Sequence, residues 1–575
     1  IAGNQSMIID DQLIIDTARH SREIQSEAIA VAGKRKLLPV SDELYQNLSS
    51  VDLEIRSASA CSLLKMHSHE HEAKIILQKL LNSKDVHKIR AGLQFLDKPM
   101  GIMKDEKLID FLHHSSHEIR EESLRIATAR ENPALIDHII GNLAYPKSAM
   151  QARHALSSFE EELVLSTLSK HLFNKDSEFP LQMGIIRCLK HYKVESSSII
   201  LQKGLNDTYL NILSEVTNSL LSVARGYHPS DDFIKRIEMN LDSIAQRVYQ
   251  LVLFLDRLPD DENCFLIKDH IESDIKKFIQ IMLKLGVLHD PKTPIETYIQ
   301  YVANQDSELM PYVLELVDTT FSPGNRKLTM PLIDVDVDEV KVGEDLFDEL
   351  LVEFDDLILF WIHGVHKWKT AIALNYIIKS NRQDLLKKIN WDKIQNTIFI
   401  DQLFSRIEDR SGKIKEIIPL KMFNLKKETD MYSILEKTIL LKSVDLFKNI
   451  PGDVLTRIAQ ISKETYHSEE NLMFSEGDYG DSMYIVVEGN VRIHKGEHHI
   501  VTLGKSTVLG EMALLDQEPR SADATAEAET TVLKIEQDGF YELMAGNSEI
   551  MQQIIKMLSG RLRDTNIKLQ EALGN

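Results

Sequence analysis

Leu509-Gly510-Glu511-Met512-Ala513-Leu514-Leu515-Asp516-Gln517-Glu518-Pro519-Arg520-Ser521-Ala522 is the stretch on which the reading of this chain turns. Gly510 permits a backbone turn that a side chain would block. Glu511 to Leu515 are good helix formers, enough for about one turn. The start of such a turn presents free N–H groups to an anion. After Pro519, Arg520 brings a permanently charged fork that matches phosphate oxygens, and Ser521 adds a hydroxyl donor. Ala522, Ala524 and Ala526 then alternate with polar residues, as on a strand. A lone Gly-Glu is ordinarily a loop and a lone Pro-Arg ordinarily surface. Together, at this spacing, they read as a pocket for a small phosphate-bearing ligand.

The combination resembles the phosphate-binding cassette of cyclic-nucleotide-binding domains, Phe-Gly-Glu-x-Ala-Leu, a short insert, then Pro-Arg-x-Ala. Leu509 stands where Phe is usual, and Ser521 after the arginine is similar to bacterial catabolite activator proteins. The resemblance implies that Glu511 accepts from the ribose 2′-hydroxyl and Arg520 pairs with the cyclic phosphate. It implies that backbone N–H groups around Gly510, Met512 and Ala513, with Ser521 and Ala522, complete the phosphate cradle. Val491 and Leu503 would line the ribose and base.

The surrounding sequence has the texture of a small all-β domain. Met483 to Val487 and Val491 to Ile493 flank the turn Glu488-Gly489-Asn490, and Gly477-Asp478 marks another turn. Ile500 to Leu503 and Thr531 to Ile535 add short strands, so a barrel or jelly roll is expected. Residues 453 to 461 form an amphipathic helix with Leu455, Ile458 and Ala459 on one face. The resemblance extends over residues 440–575, including the Gly-Asp turn and the Val-x-x-Gly-x-Val hairpin. One departure is Ser506-Thr507, where the family more often has Gly and an acidic residue. A last helix from Ser548 carries a heptad seam through Met551, Ile555, Leu558, Leu562, Thr565 and Leu569. It reads as a lid over the base or as a dimer coiled coil, with Thr565 and Asn566 within reach of a purine edge.

Upstream, Ser50-Val51-Asp52-Leu53-Glu54-Ile55-Arg56 recurs as Ser83-Lys84-Asp85-Val86-His87-Lys88-Ile89-Arg90 and again as Ser115-Ser116-His117-Glu118-Ile119-Arg120. Asp caps a helix start. Further starts are expected near Asp176, Asp207, Asp242, Asp274 and Asp306, at roughly 30- to 35-residue steps typical of solenoids. Helices of this kind bury their apolar faces only by stacking. Residues 1–320 therefore resemble HEAT-like repeats, which implies a long surface for a protein partner. Residues 321–342, with Ser322-Pro323-Gly324 and alternating Asp, read as a linker. Residues 343–439, holding Trp361, Trp368 and Trp391, read as a further helical block with the tryptophans in its core. The fold class expected is multidomain: an all-α solenoid followed by a β jelly-roll barrel with flanking helices.

Length and composition agree. The chain has 575 residues, too many for one core. It is 43% apolar and 27% charged, as folded proteins are. A net charge of −21 argues against nucleic acid as a partner. Cys61, Cys188 and Cys264 are dispersed and odd in number, fitting reduced thiols in a cytoplasmic protein. No apolar run approaches the roughly 18 residues needed to span a bilayer. His67-Ser68-His69-Glu70-His71 is read as polar residues between helices rather than a zinc site, so no metal and no cofactor are expected. No kinase Gly-loop, Walker motif or nucleophile elbow appears, so the chain is read as no enzyme.

The expectation is a cytoplasmic sensor that binds a cyclic nucleotide, cAMP in preference to cGMP, and passes the event to a protein partner. One alternative is the regulatory region of a membrane nucleotide transporter, since some transporters of the ATP/ADP translocase type are similar in joining HEAT-like repeats to this domain. The start at Ile1 fits a piece of such a longer protein, attached to a membrane domain. The other alternative is a scaffold whose barrel has lost its ligand.

Overall fold

The computed structural model describes residues 11–20, 24–96, 102–174, 177–206, 209–225, 230–304, 308–347, 353–364, 366–394, 397–405, 417–419, 422, 431–448, 450–512, 518–546, 550–551, 554–555 and 559–560. The chain divides into two compact units, Ile1–Ser243 with Gln280–Met330, and Ile244–Ile279 with Pro331–Asn575.

Every described element of the first unit is helical. The first two recurring segments open helices at the expected aspartates. Asp52 accepts from the backbone N–H of Glu54 and Ile55 at 2.8 and 3.2 Å, and Asp85 caps the next copy through His87 and Lys88. In the third copy Ser116 makes no side-chain cap. Two of the three recurring arginines turn back onto their own entry loops: Arg56 Nε donates to Ser50 O at 2.8 Å, and Arg120 Nη1 donates to His114 O and Ser115 O at 2.7 and 2.8 Å, whereas Arg90 lies 3.9 Å from Glu118. Ile89 and Ile119 are buried and Ile55 half-buried. In the polar inter-helix segment, His67 pairs with Glu70 at 3.0 Å and the His69 ring lies against Tyr45.

Farther along, two expected helix starts are corrected. Asp242 lies inside the 26-residue helix Asp231–Asp256, and Asp274 inside the 22-residue helix Phe265–Gly286. No Gly or Pro interrupts residues 231–256, and Phe233, Ile237, Leu241, Ile244, Val248 and Val252 recur at helical spacing, all buried. An exposed mid-helix Asp is tolerated in such a run. Asp176, Asp207 and Asp306 lie outside the described residues. The stretch read as a linker is also corrected. Ser322 caps a helix Pro323–Thr329, with Pro at its first position, and Asp338 caps Glu339–Leu346. Ser-Pro opened a helix here rather than ending one.

In the second unit, a helical core gathers Ile358, Trp361, Trp368, Leu374, Phe404 and Leu435, with Trp391 packed at its margin. The expected boundary at residue 440 falls inside the helix Ile434–Lys442, which a capping box from Ser433 to Glu436 opens. That helix packs with Gly452–Ile461, whose Leu455, Ile458 and Ala459 share a core with Leu533 and Ile535 of the barrel and with Phe540 of the helix Gln537–Gly546.

The barrel has eight strands: β1 (Lys463–His467), β2 (Leu472–Phe474), β3 (Ser482–Glu488), β4 (Val491–Lys495), β5 (His498–Leu503), β6 (Val508–Leu509), β7 (Asp523–Ala526) and β8 (Thr530–Glu536). They form two antiparallel sheets, ordered β1-β8-β3-β6 and β2-β7-β4-β5, the layout of a jelly roll. Val486, Val491, Leu509, Ala524 and Val532 form the core at the cassette end. The β3–β4 turn requires glycine. Gly489 has φ +85°, and a Cβ there would lie 2.4 Å from Thr530 Oγ1 and 2.6 Å from Glu529 O. Gly489→Ala is expected to lower stability by about 2–4 kcal/mol, combining left-handed backbone strain with overpacking. Urea unfolding of the full chain, followed by a probe in the barrel, measures it.

Candidate ligand-binding site

The site is built where β6 ends and β7 begins. Gly510 closes β6 with φ +75°, so the chain turns there as only glycine does easily. Glu511 and Met512 begin a helical turn, with Glu511 half-buried and Met512 exposed. Ala513 lies outside the described residues, as do Ser548, Leu558, Leu562, Thr565, Asn566 and Leu569. Arg520 is only 6% exposed, Ser521 is exposed, and Ala522 is buried.

Arg520 is the centre of the arrangement. Its Nη1 donates to Gly510 O at 3.0 Å and its Nη2 to Ser482 O at 2.7 Å. Its backbone N–H donates to Asp478 O, and its carbonyl accepts from the Gly477 N–H, both at 2.8 Å. The guanidinium sits 4.3 Å from the centre of the Phe474 ring and 6.0 Å from that of Tyr484. Gly510 is glycine for a second reason here: a Cβ would stand 2.2 Å from Arg520 Nη1.

None of the described hydrogen-bond partners of Arg520 is a carboxylate. Burial pulls its pKa below the usual guanidinium value. The Tyr484 hydroxyl and the carboxylates of Asp481, Asp478 and Glu511 oppose that shift. The group stays charged at any working pH. Two of its five N–H groups hold carbonyls, and the carboxylates of Asp481, Asp478 and Glu511 act on the charge without a described hydrogen bond to it. Arg120 gives the comparison within the same chain, with the Tyr145 ring 4.1 Å from its guanidinium. It is equally buried, and its donors reach His114 O, Ser115 O and Ser148 Oγ. Those carbonyls follow the helix Asp105–Leu112, where its negative end already favours a cation.

The two expected ribose-side residues differ. Val491 and Leu503 are partners across the β4–β5 ladder. Val491 is fully buried in the core, whereas Leu503 is half-buried, so of the two Leu503 offers surface to a ligand. Ser506, where the family more often has Gly, still makes the left-handed turn, with φ +65°. Its N–H donates to Val486 O at 2.8 Å, and its hydroxyl meets Ser443 Oγ at 2.7 Å. Phe474 and Tyr484 had no sequence signal beyond that of ordinary strand aromatics. Among the described residues no group of three His, Cys, Asp or Glu side chains could hold a metal ion.

Residues 464–547 match the family model described as "Cyclic nucleotide-binding domain". This part of the chain is a cyclic nucleotide-binding domain. Curated relatives agree over the same region. The chain is 26% identical over 139 residues to a CRP-like cAMP-activated global transcriptional regulator of Mycobacterium tuberculosis, covering 23% of this chain and 62% of the regulator. It is 27% identical over 190 residues to cGMP-dependent protein kinase 2 of Homo sapiens, covering 28% of this chain and 25% of the kinase. Among solved structures, the catabolite activator protein of Thermus thermophilus aligns with 24% identity, 22% of this chain, 62% of that chain and a TM-score of 0.21. The chain thus spans less than two thirds of each of these relatives. The match lies inside the second unit, and the helices Ile434–Lys442 and Gly452–Ile461 precede it.

Proposed function

We propose that this chain is a non-enzymatic sensor whose barrel binds cAMP and whose helical units engage a protein partner. The observation that carries the reading is the buried guanidinium of Arg520 with carbonyls and an aromatic ring, and no carboxylate, as described partners. Buried charges are ordinarily paired. A cyclic phosphodiester supplies the missing anion. Glu511, half-buried on the next turn, accepts from the ribose 2′-hydroxyl, and Arg520 offsets the repulsion between that carboxylate and the phosphate. The preference for cAMP rests on Pro519-Arg520-Ser521-Ala522 and on the cAMP-activated regulator among the relatives.

Transmission runs through the last helix in this account. Ile550 and Ile554 are buried against the barrel helices, while Met551 and Ile555 are 42% and 56% exposed. Met551 and Ile555 are the first two positions of the heptad seam, whose other positions lie outside the described residues. A ligand that favours one position of this helix shifts the population toward it. No helix among the described residues is long and apolar enough to cross a membrane. Attachment to a membrane domain is therefore a matter for chain outside these residues.

Calorimetric titration of the full chain with cAMP and with cGMP is the test. Saturable binding of both, tighter for cAMP, is expected. Tighter binding of cGMP would overturn the ligand preference, and no heat with either would leave the scaffold reading in its place.

A further inference from the structure

We infer that Phe474 is a positioning residue for the ligand, holding the Arg520 guanidinium through its ring face so that the arm is set before a cyclic nucleotide arrives. The inference rests on the proposed function and adds to it a residue outside the cassette. Phe474 ends β2, forty-odd residues ahead of Arg520 in sequence and on the sheet that carries β7. Its register partner on β7 is Ala524, a fully buried small side chain that leaves room for a large neighbour. From the facing sheet, the Tyr484 ring stacks on Phe474 at 6.0 Å and 24°. The guanidinium carbon lies 4.3 Å from the Phe474 centroid, well inside cation–π range.

The segment that follows Phe474 grips Arg520 from its other end. Gly477 N–H donates to Arg520 O, and Arg520 N–H donates to Asp478 O. Asp478 in turn accepts from the Ser475 N–H at 2.8 Å, which fixes the turn. Residues 474 to 478 therefore set both the backbone and the charged tip of Arg520. The chemistry of the contact matters. A carboxylate in place of the ring would hold the guanidinium and also neutralise it. An aromatic face orients the cation and leaves its charge for the phosphate.

The test uses the full chain with Phe474→Leu, Phe474→Tyr and Arg520→Ala, and two measurements. The first is calorimetric affinity for cAMP and cGMP. Phe474→Leu is expected to weaken both by about 3- to 30-fold, the range for a partly desolvated cation–π contact. Phe474→Tyr keeps the ring and is expected to stay within about twofold of the parent. In an Arg520→Ala background, Phe474→Leu should have no further effect, which a purely structural role would not produce. The second measurement needs no nucleotide: the rate of phenylglyoxal modification of Arg520, mapped by mass spectrometry, with Arg492 as internal reference. Phe474→Leu should speed modification of Arg520 and leave Arg492 unchanged, and Phe474→Tyr should restore the parent rate. An unchanged Arg520 rate in Phe474→Leu overturns the inference whether or not a nucleotide binds. If the parent binds neither nucleotide, the proposed function fails and the labelling alone judges the positioning role.

Discussion

Arg520→Ala is expected to weaken cAMP binding by roughly 30- to 5,000-fold, or about 2–5 kcal/mol, in calorimetric titration of the full chain. The size follows from what the arginine faces. It is 6% exposed and holds its fork by bonds of 3.0 and 2.7 Å to Gly510 O and Ser482 O. Without it, a phosphodiester would enter a buried site beside Glu511 with no cation to balance either charge. Truncation also leaves two carbonyls unpaired, so a stability loss of about 1–3 kcal/mol accompanies the loss of affinity. Thermal unfolding separates the two effects. Arg520→Lys sharpens the test, because lysine keeps the charge but cannot span both carbonyls while presenting a flat edge to the ligand. It should bind more weakly than the parent and more tightly than Arg520→Ala.

Gly510→Ala should damage the site from the other side. The backbone φ of +75° makes any side chain there costly by about 1–2 kcal/mol. The larger consequence is local. The new Cβ would lie 2.2 Å from Arg520 Nη1 and 3.3 Å from Ser482 O. The guanidinium is the end that can move, so the barrel remains folded while the arm loses its seat. Loss of one charge-assisted hydrogen bond predicts a drop in cAMP affinity of roughly 10- to 150-fold. The variant should unfold cooperatively, within a few degrees of the parent. An unchanged affinity would mean that the position of Arg520 against Gly510 is irrelevant to the ligand.

The cassette stood out in sequence because a glycine turn, a carboxylate and an arginine at fixed spacing are rare together, whereas the bond from Arg520 to Gly510 O is visible only in the fold. The strand plan was legible for a similar reason, since Gly489 between two β-branched runs admits few other readings. Phe474 was not. A single aromatic in a strand ordinarily fills a core, and its contact with Arg520 depends on the pairing of β2 with β7, which no local pattern states. Asp242 was misread because aspartate signals a cap only where the apolar period breaks, and across residues 231–256 it does not; Asp274 was misread because it is a buried mid-helix carboxylate paired with Lys369 at 3.1 Å, a partner no local pattern states. Ser322-Pro323-Gly324 was misread as a break because proline and glycine punctuate chains, yet Ser-Pro is also how helices begin. Residue 440 lies within a helix for a related reason: the texture changes at the strands, whereas Ile434 and Leu441 of the helix Ile434–Lys442 share a core with them.

A crystal structure of the full chain grown with cAMP is the most direct measurement of the central claim. The account requires the cyclic phosphate at the Arg520 fork, still resting on Phe474, and the ribose 2′-hydroxyl within hydrogen-bond distance of Glu511. A nucleotide bound elsewhere, or one in the barrel with its phosphate turned away from Arg520, would contradict it.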